Sequence, residues 1–146
     1  INQNASRGII ATGIAGLCRG ENVESKAKFT DIPANNKVYI NWAYDNGIIY
    51  GYDDTLLGYS DDVTREQAVV MLYRCAEFLG TDNSEASSQI IYTDADAVSD
   101  WAVEAVSWAS SIGIIRGYED GTFKPFNNVT KAEFAQMLYA FADVVH

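Results

Sequence analysis

The chain is poor in the residues that build metal centres. It holds one histidine, His146, and two cysteines, Cys18 and Cys75. A Cys/His metal site needs about four such ligands, so none is expected, and no cofactor is implied. Both cysteines fall inside predicted helices. They read as small buried hydrophobes, with a disulfide between two helices as the alternative. Cations are scarce too: 10 Lys and Arg against 20 Asp and Glu give a net charge of −10 and a pI near 4.3. That balance excludes nucleic acid as the partner, and also adsorption to an anionic membrane. No apolar run approaches the roughly 18 residues of a membrane span, so no direct membrane insertion is expected. Nucleophile-elbow, phosphate-loop and zinc-protease motifs are missing as well. With 20 acidic residues a glycosidase-like carboxylate pair carries no signal. No enzyme is expected. The chain opens at Ile1 without a methionine or signal peptide and reads as a mature or excised fragment.

What is present is a folded chain. Its 146 residues, 48% hydrophobic and 12% aromatic, suffice for one domain with a real core. Its few cations fall in unusual places. In "VTREQ", Val63 to Gln67, Thr64 reads as an N-cap and Gln67 completes a capping box. An apolar stripe follows at Ala68, Met71, Leu72, Cys75 and Leu79. Arg65 therefore takes the first helical position, where the macrodipole disfavours a cation by roughly 0.3–1 kcal/mol. "VTKAE", Val129 to Glu133, repeats the arrangement with Thr130, Lys131 and Glu133, before a stripe at Phe134, Met137, Leu138, Phe141 and Val145. "ASRGI", Ala5 to Ile9, is a degraded copy: Ser6 caps, Arg7 follows, and Ile10, Ile14 and Leu17 form the stripe.

These are parts of a longer repeat. Shifted by 66 residues, Trp42 to Phe78 falls on Trp108 to Val144 without a gap, and 14 of the 37 positions are identical. "FTD" at Phe29 matches "YTD" at Tyr92. Each unit reads as helix, turn, loop, helix. In the last, Trp101, Ala105, Trp108 and Ile112 give one apolar face, and Gly113 ends the helix. Asp120-Gly121 makes a tight turn, and Phe123 and Pro125 lead to the Thr130 cap. Polar linkers are read at Gly80–Gln89 and Gly20–Lys28. A unit that cannot bury its apolar face alone must stack on its neighbours. The expected fold is all-α: a pseudo-threefold arrangement of helix-loop-helix repeats around a central three-helix bundle. It is one module over 1–146, with the terminal helix of a partial first repeat at 4–21, a second repeat at 29–80 and a third at 92–146.

The unit resembles the S-layer homology repeat. The matching stretch runs from Tyr92 to Leu138: aromatic-x-Asp, Trp101, Gly113-Ile114, Gly117-Tyr118, Asp120-Gly121, Phe123, Pro125 and the Thr-Lys-Ala-Glu helix start. The resemblance implies a noncatalytic module, secreted and held at the cell surface in the wall or S-layer. It implies an anionic cell-wall glycan as partner, a secondary polymer with pyruvylated sugars, and other surface proteins as the alternative partner class. It also implies a binding role for the motif's basic residue: Lys131, Arg65 and, by the weaker match, Arg7. A carboxylate ketal on a sugar is an anion, and a helix start offers free N–H groups and a positive dipole end. An adjacent Lys or Arg adds a charge-assisted hydrogen bond.

The candidate ligand-binding residues are Lys131, Arg65, Arg7, Thr130, Thr64, Gly117, Tyr118, Gly51 and Tyr52. Lys131 and Arg65 are expected exposed at groove mouths, each near the Gly-Tyr loop of another repeat. Lys131 ranks first because its unit keeps the whole loop. Copy one has Gly8 and Ile9 in place of Ala and Glu, and the middle unit lacks the loop's Gly and Pro. Trp42 and Trp108 read as core. "GYDDT" and "GYEDG" lack the ligand spacing of a calcium loop and read as turns.

Overall fold

A computed structural model describes residues 3–21, 25–81 and 90–145. Parts of both predicted linkers, residues 22–24 and 82–89, lie outside the described residues, as does His146. Among the described residues the fold is all-helical: α1 (Arg7–Cys18), α2 (Lys37–Asp45), α3 (Arg65–Phe78), α4 (Val103–Ser111) and α5 (Lys131–Val145). Single 3-10 turns at Ala34–Asn36, Ala95–Ala97 and Asp100–Ala102 precede α2 and α4.

The helix starts follow the caps. Ser6 Oγ accepts from the Ile9 amide at 3.1 Å. Thr64 and Gln67 form a complete capping box. At α5 the Glu133 amide donates to Thr130 Oγ1, and the Thr130 amide donates to Glu133 Oε1, each at 3.0 Å. Gly47 and Gly113, at φ +74° and +83°, stand just past α2 and α4 where a left-handed residue reverses the chain.

Helices α1, α3 and α5 pack pairwise, and α2 and α4 lie against α1 and α3 respectively. The buried stripes are Ile10 and Ile14; Ala68, Met71, Leu72 and Cys75; Phe134, Met137 and Phe141. Leu138 is half-buried, and Leu79 lies past the end of α3 and is exposed. Backbone hydrogen bonds tie the three helix starts head to tail. The Arg7 amide donates to the Asp61 carbonyl at 2.9 Å, the Arg65 amide to Asn127 at 2.8 Å, and the Lys131 amide to Gln3 at 2.7 Å. Each acceptor lies four residues before the next helix start, so the bonds close a ring. A pseudo-threefold arrangement calls for this pattern.

Two sequence expectations change. Trp101 is not on the core face of α4 but 58% exposed in the preceding 3-10 turn; the buried face is Ala102, Ala105, Val106, Trp108 and Ala109. The middle loop keeps its shape without the Gly and Pro of the last one. Tyr52 N–H donates to Leu56 O at 2.8 Å, as Tyr118 N–H does to Thr122 O at 2.8 Å. Its left-handed residue is Gly58 (φ +78°), aligned with Lys124 (φ +58°).

The aromatic-x-Asp element explains how these loops hold. Asp31 accepts from the amides of Leu57, Gly58 and Tyr59, and Asp94 accepts from Phe123 and Lys124, at 2.8–3.1 Å. Burial raises the Asp31 carboxyl, but those donors outweigh it and leave it below the ordinary value. The Phe29 and Tyr92 rings lie against Gly51 and Gly117. A Cβ there would approach the rings to 2.5 and 2.6 Å, so both positions must stay bare.

Candidate functional site

Two homologous grooves form where one repeat's loop and last helix meet the cation of the preceding repeat. The larger, about 770 Å³, lies between the Ile112–Tyr118 segment and α5 and reaches Arg65. The smaller, about 270 Å³, lies between Ile49–Tyr52 and α3 and is bounded by Arg7, Arg74 and Trp101.

The two arginines are placed alike. Arg65 Nε donates to the Phe123 carbonyl at 2.8 Å, and Arg7 Nε to the equivalent Leu57 carbonyl at 2.9 Å. Each guanidinium lies 4.7 Å over a tyrosine ring of the next repeat, Tyr118 or Tyr52. Their surroundings differ. Arg65 is 3% exposed, and its Nη1 pairs with Glu133 Oε2 at 2.8 Å. The Tyr118 hydroxyl donates to the same oxygen at 2.6 Å. Burial raises the Glu133 carboxyl, but Tyr118, the Thr130 amide and Arg65 outweigh it and hold it below the ordinary value. Burial and the hydrogen bond to Glu133 push the Tyr118 hydroxyl up. In the smaller groove Gln67, which is neutral, stands in Glu133's position. Arg7 donates instead to two carbonyls, Leu57 and Tyr50, and Tyr52 donates to Asp61 at 2.8 Å.

The expectation of exposed cations near a foreign Gly-Tyr loop holds in full for neither Lys131 nor Arg65. Arg7, outside that expectation, lies over such a loop. Arg65 reaches the loop but is buried, because its guanidinium is an internal strut between repeats. Lys131 is exposed but borders neither groove, and the described chain places no Gly-Tyr loop opposite it. The reason given for ranking Lys131 first is overturned: its unit's loop serves Arg65. Tyr52, Tyr118, Gly51 and Gly117 line the grooves. The Thr64 and Thr130 hydroxyls are committed to caps.

Sequence reasoning missed Arg74, over the Tyr50 ring at 4.8 Å, and Glu66. Glu66 is buried at the start of α3 and accepts from the Ser99 amide and hydroxyl at 2.9 and 2.6 Å, joining that helix to the turn before α4. The signal for Arg74 was its i, i+3 spacing from Met71 on the groove face. Among the described residues no three His, Cys, Asp or Glu side chains could hold a metal ion, and no helix is long and apolar enough to cross a membrane.

Interlocked helix-loop-helix repeats with grooves at their junctions define a repeat module whose surface sites are shared between units. The S-layer homology domain profile matches residues 28–69 and 91–135, and the chain belongs to that family. Such domains anchor surface proteins to the cell wall and are not themselves catalytic. The chain is 41% identical over 92 residues to cell surface glycoprotein 1 of Acetivibrio thermocellus, covering 62% of this chain and 4% of that protein. It is 35% identical over 95 residues to the cellulosome-anchoring protein of the same organism, 64% and 20% of the two chains. To an endoglucanase of a Bacillus species it is 30% identical over 129 residues, 84% and 13% of the two. The chain thus spans no more than a fifth of any of these relatives.

Proposed function

We propose that this chain is a cell-surface anchoring module that binds an anionic secondary cell-wall polymer through carboxylate-bearing, pyruvylated sugars. One observation carries the reading: in a chain of net charge −10, the helix-start arginine Arg7 is set over the Gly-Tyr loop of the next repeat at a surface groove. That concentrates cationic and aromatic surface where an acidic sugar could lie, inside an otherwise repulsive field. The module is noncatalytic and is itself the attachment. The test is a pull-down with purified wall sacculi before and after chemical removal of the secondary polymer. Binding that disappears with the polymer supports the reading; binding that survives removal, or none from the start, refutes it. The second reading, a protein–protein module, draws on the exposed Ile91, Phe126 and Tyr139 and would be favoured by either refuting result.

A further inference from the structure

We propose that the acidic sugar is taken by the smaller groove, on Arg7 and Arg74 with Trp101 as its stacking face, while the larger groove around Arg65 is structural. This rests on the glycan reading above. None of the smaller groove's lining side chains is acidic, and two are arginines. Arg7 is oriented by neutral carbonyls and Arg74 by the face of Tyr50, so among the described residues no carboxylate of the groove pairs with either. Asp61, outside that lining, accepts from Tyr52. The larger groove also has two arginines, Arg65 and Arg116, but Glu133 and Asp143 share its wall, and Glu133 already neutralises Arg65. A ligand carboxylate would have to displace a buried ion pair there. Three aromatic side chains, Tyr50, Tyr52 and Trp101, are each more than half exposed around the smaller groove, whereas the larger has one such, Tyr139. Trp101, from the third repeat's 3-10 turn, has no counterpart in the second repeat, where Asn35 aligns.

The test is calorimetric titration of the 146-residue chain with a methyl hexoside pyruvate ketal and with its carboxylate methyl ester. Arg74→Gln and Trp101→Ala remove groups outside the core, so melting temperature should hold. Each should weaken ketal binding about tenfold or more, the scale of one charged hydrogen bond or one stacked ring. The ester should bind the wild type as weakly as the ketal binds Arg74→Gln. Ala140→Trp, which fills the larger groove, should leave affinity unchanged. If Ala140→Trp abolishes binding while Arg74→Gln and Trp101→Ala do not, the groove assignment is wrong and the glycan reading stands. If the wild type binds neither ketal nor sacculi, both fall.

A second inference stands on separate observations. We infer that Cys18 and Cys75 are a disulfide-forming pair joining α1 to α3. Their sulfurs lie 3.4 Å apart, and closing to a bond of roughly 2.05 Å needs about 1.4 Å of approach. Cys75 is fully buried, whereas Cys18 lines a surface opening with Gly16, Leu17, Arg19, Leu79 and Val145. The hydrogen bond from Cys75 lowers the Cys18 thiol against its burial, which makes Cys18 the attacking thiolate. With a disulfide oxidant such as oxidised glutathione, the Cys18 thiolate attacks one sulfur and releases one glutathione thiolate. Deprotonated Cys75 then attacks the Cys18 sulfur of the mixed disulfide and releases the second. Two protein thiols are oxidised and one glutathione disulfide is reduced. Oxidised glutathione should leave a protein with no free thiol under denaturant, no glutathione adduct and a higher melting temperature, and Cys75→Ser should trap the adduct on Cys18. Two free thiols after treatment, or a stable adduct on the wild type, would overturn the pairing.

Discussion

Replacing Arg65 by alanine should destabilise the chain by about 3–5 kcal/mol, the cost of breaking a buried ion pair and stranding its partner. The components agree in scale. The charged hydrogen bond to the Phe123 carbonyl contributes about 1.5–3 kcal/mol. The guanidinium also faces two rings, Tyr118 at 4.7 Å and Phe123 at 4.9 Å, each contact worth about 0.5–2 kcal/mol depending on desolvation. Glu133 would keep Tyr118 and its cap but lose its counter-charge. These contributions overlap, so the total stays below their sum. For a chain of this size the shift in melting temperature is roughly 10 °C.

The assay is urea unfolding of Arg65→Ala, Glu133→Gln and the double variant. Gln67 already closes the equivalent box in α3, so glutamine at 133 keeps the cap and removes only the charge. The two changes should couple by about 1–3 kcal/mol. Were Arg65 a solvated groove-mouth cation, its loss would cost under about 1 kcal/mol and the coupling would vanish. That outcome would refute the strut.

Leu72→Ala should cost about 2–5 kcal/mol by urea denaturation, because Leu72 is fully buried, whereas half-buried Leu138→Ala should cost less than half as much; equal losses would contradict the packing of α5. Gly8→Ala should destabilise by about 1–3 kcal/mol despite improved helix propensity, since its Cβ would sit 2.2 Å from the Tyr59 ring. Stabilisation on the same substitution would show that Tyr59 moves freely. Glu133 and Asp31 have depressed carboxyls in the fold, so the stability they supply is present above the ordinary carboxylate range and lost as pH falls through their folded values. Urea midpoints should therefore decline on acidification, and Glu133→Gln should flatten part of that decline.

The helix starts were legible in sequence because a cap and its box lie within four residues, and the stripes because their period is local. The trans-repeat contacts were not. Arg65 meets a carboxylate 68 residues away, and nothing near "VTREQ" distinguishes a guanidinium bound for a buried carboxylate from one bound for water. Trp101 misled because its i, i+4 spacing to Ala105 continues a helical period across a 3-10 turn. Asp31 and Asp94 were visible as matching letters, but their work on loop amides 26 to 30 residues away is a property of the closed unit. Gly8 looked like decay of a motif; it is the space that the Tyr59 ring occupies.

The helix-start cation, unfavourable to its own helix, becomes intelligible at the junction. Turned away from its dipole, each arginine caps a carbonyl and covers a tyrosine of the next repeat, so the local cost is offset across the interface. One residue then separates the two outcomes. Where the box closes with Glu133, the arginine gains a counter-ion and becomes a strut. Where it closes with Gln67, the same geometry leaves a cation facing a groove. Both residues close the box, so the choice between acid and amide at that position leaves the cap in place and is decisive for the site. The smaller groove is therefore read from three repeats' worth of residues at once: the cation from one, the loop and box residue from the next, and the aromatic face from the third.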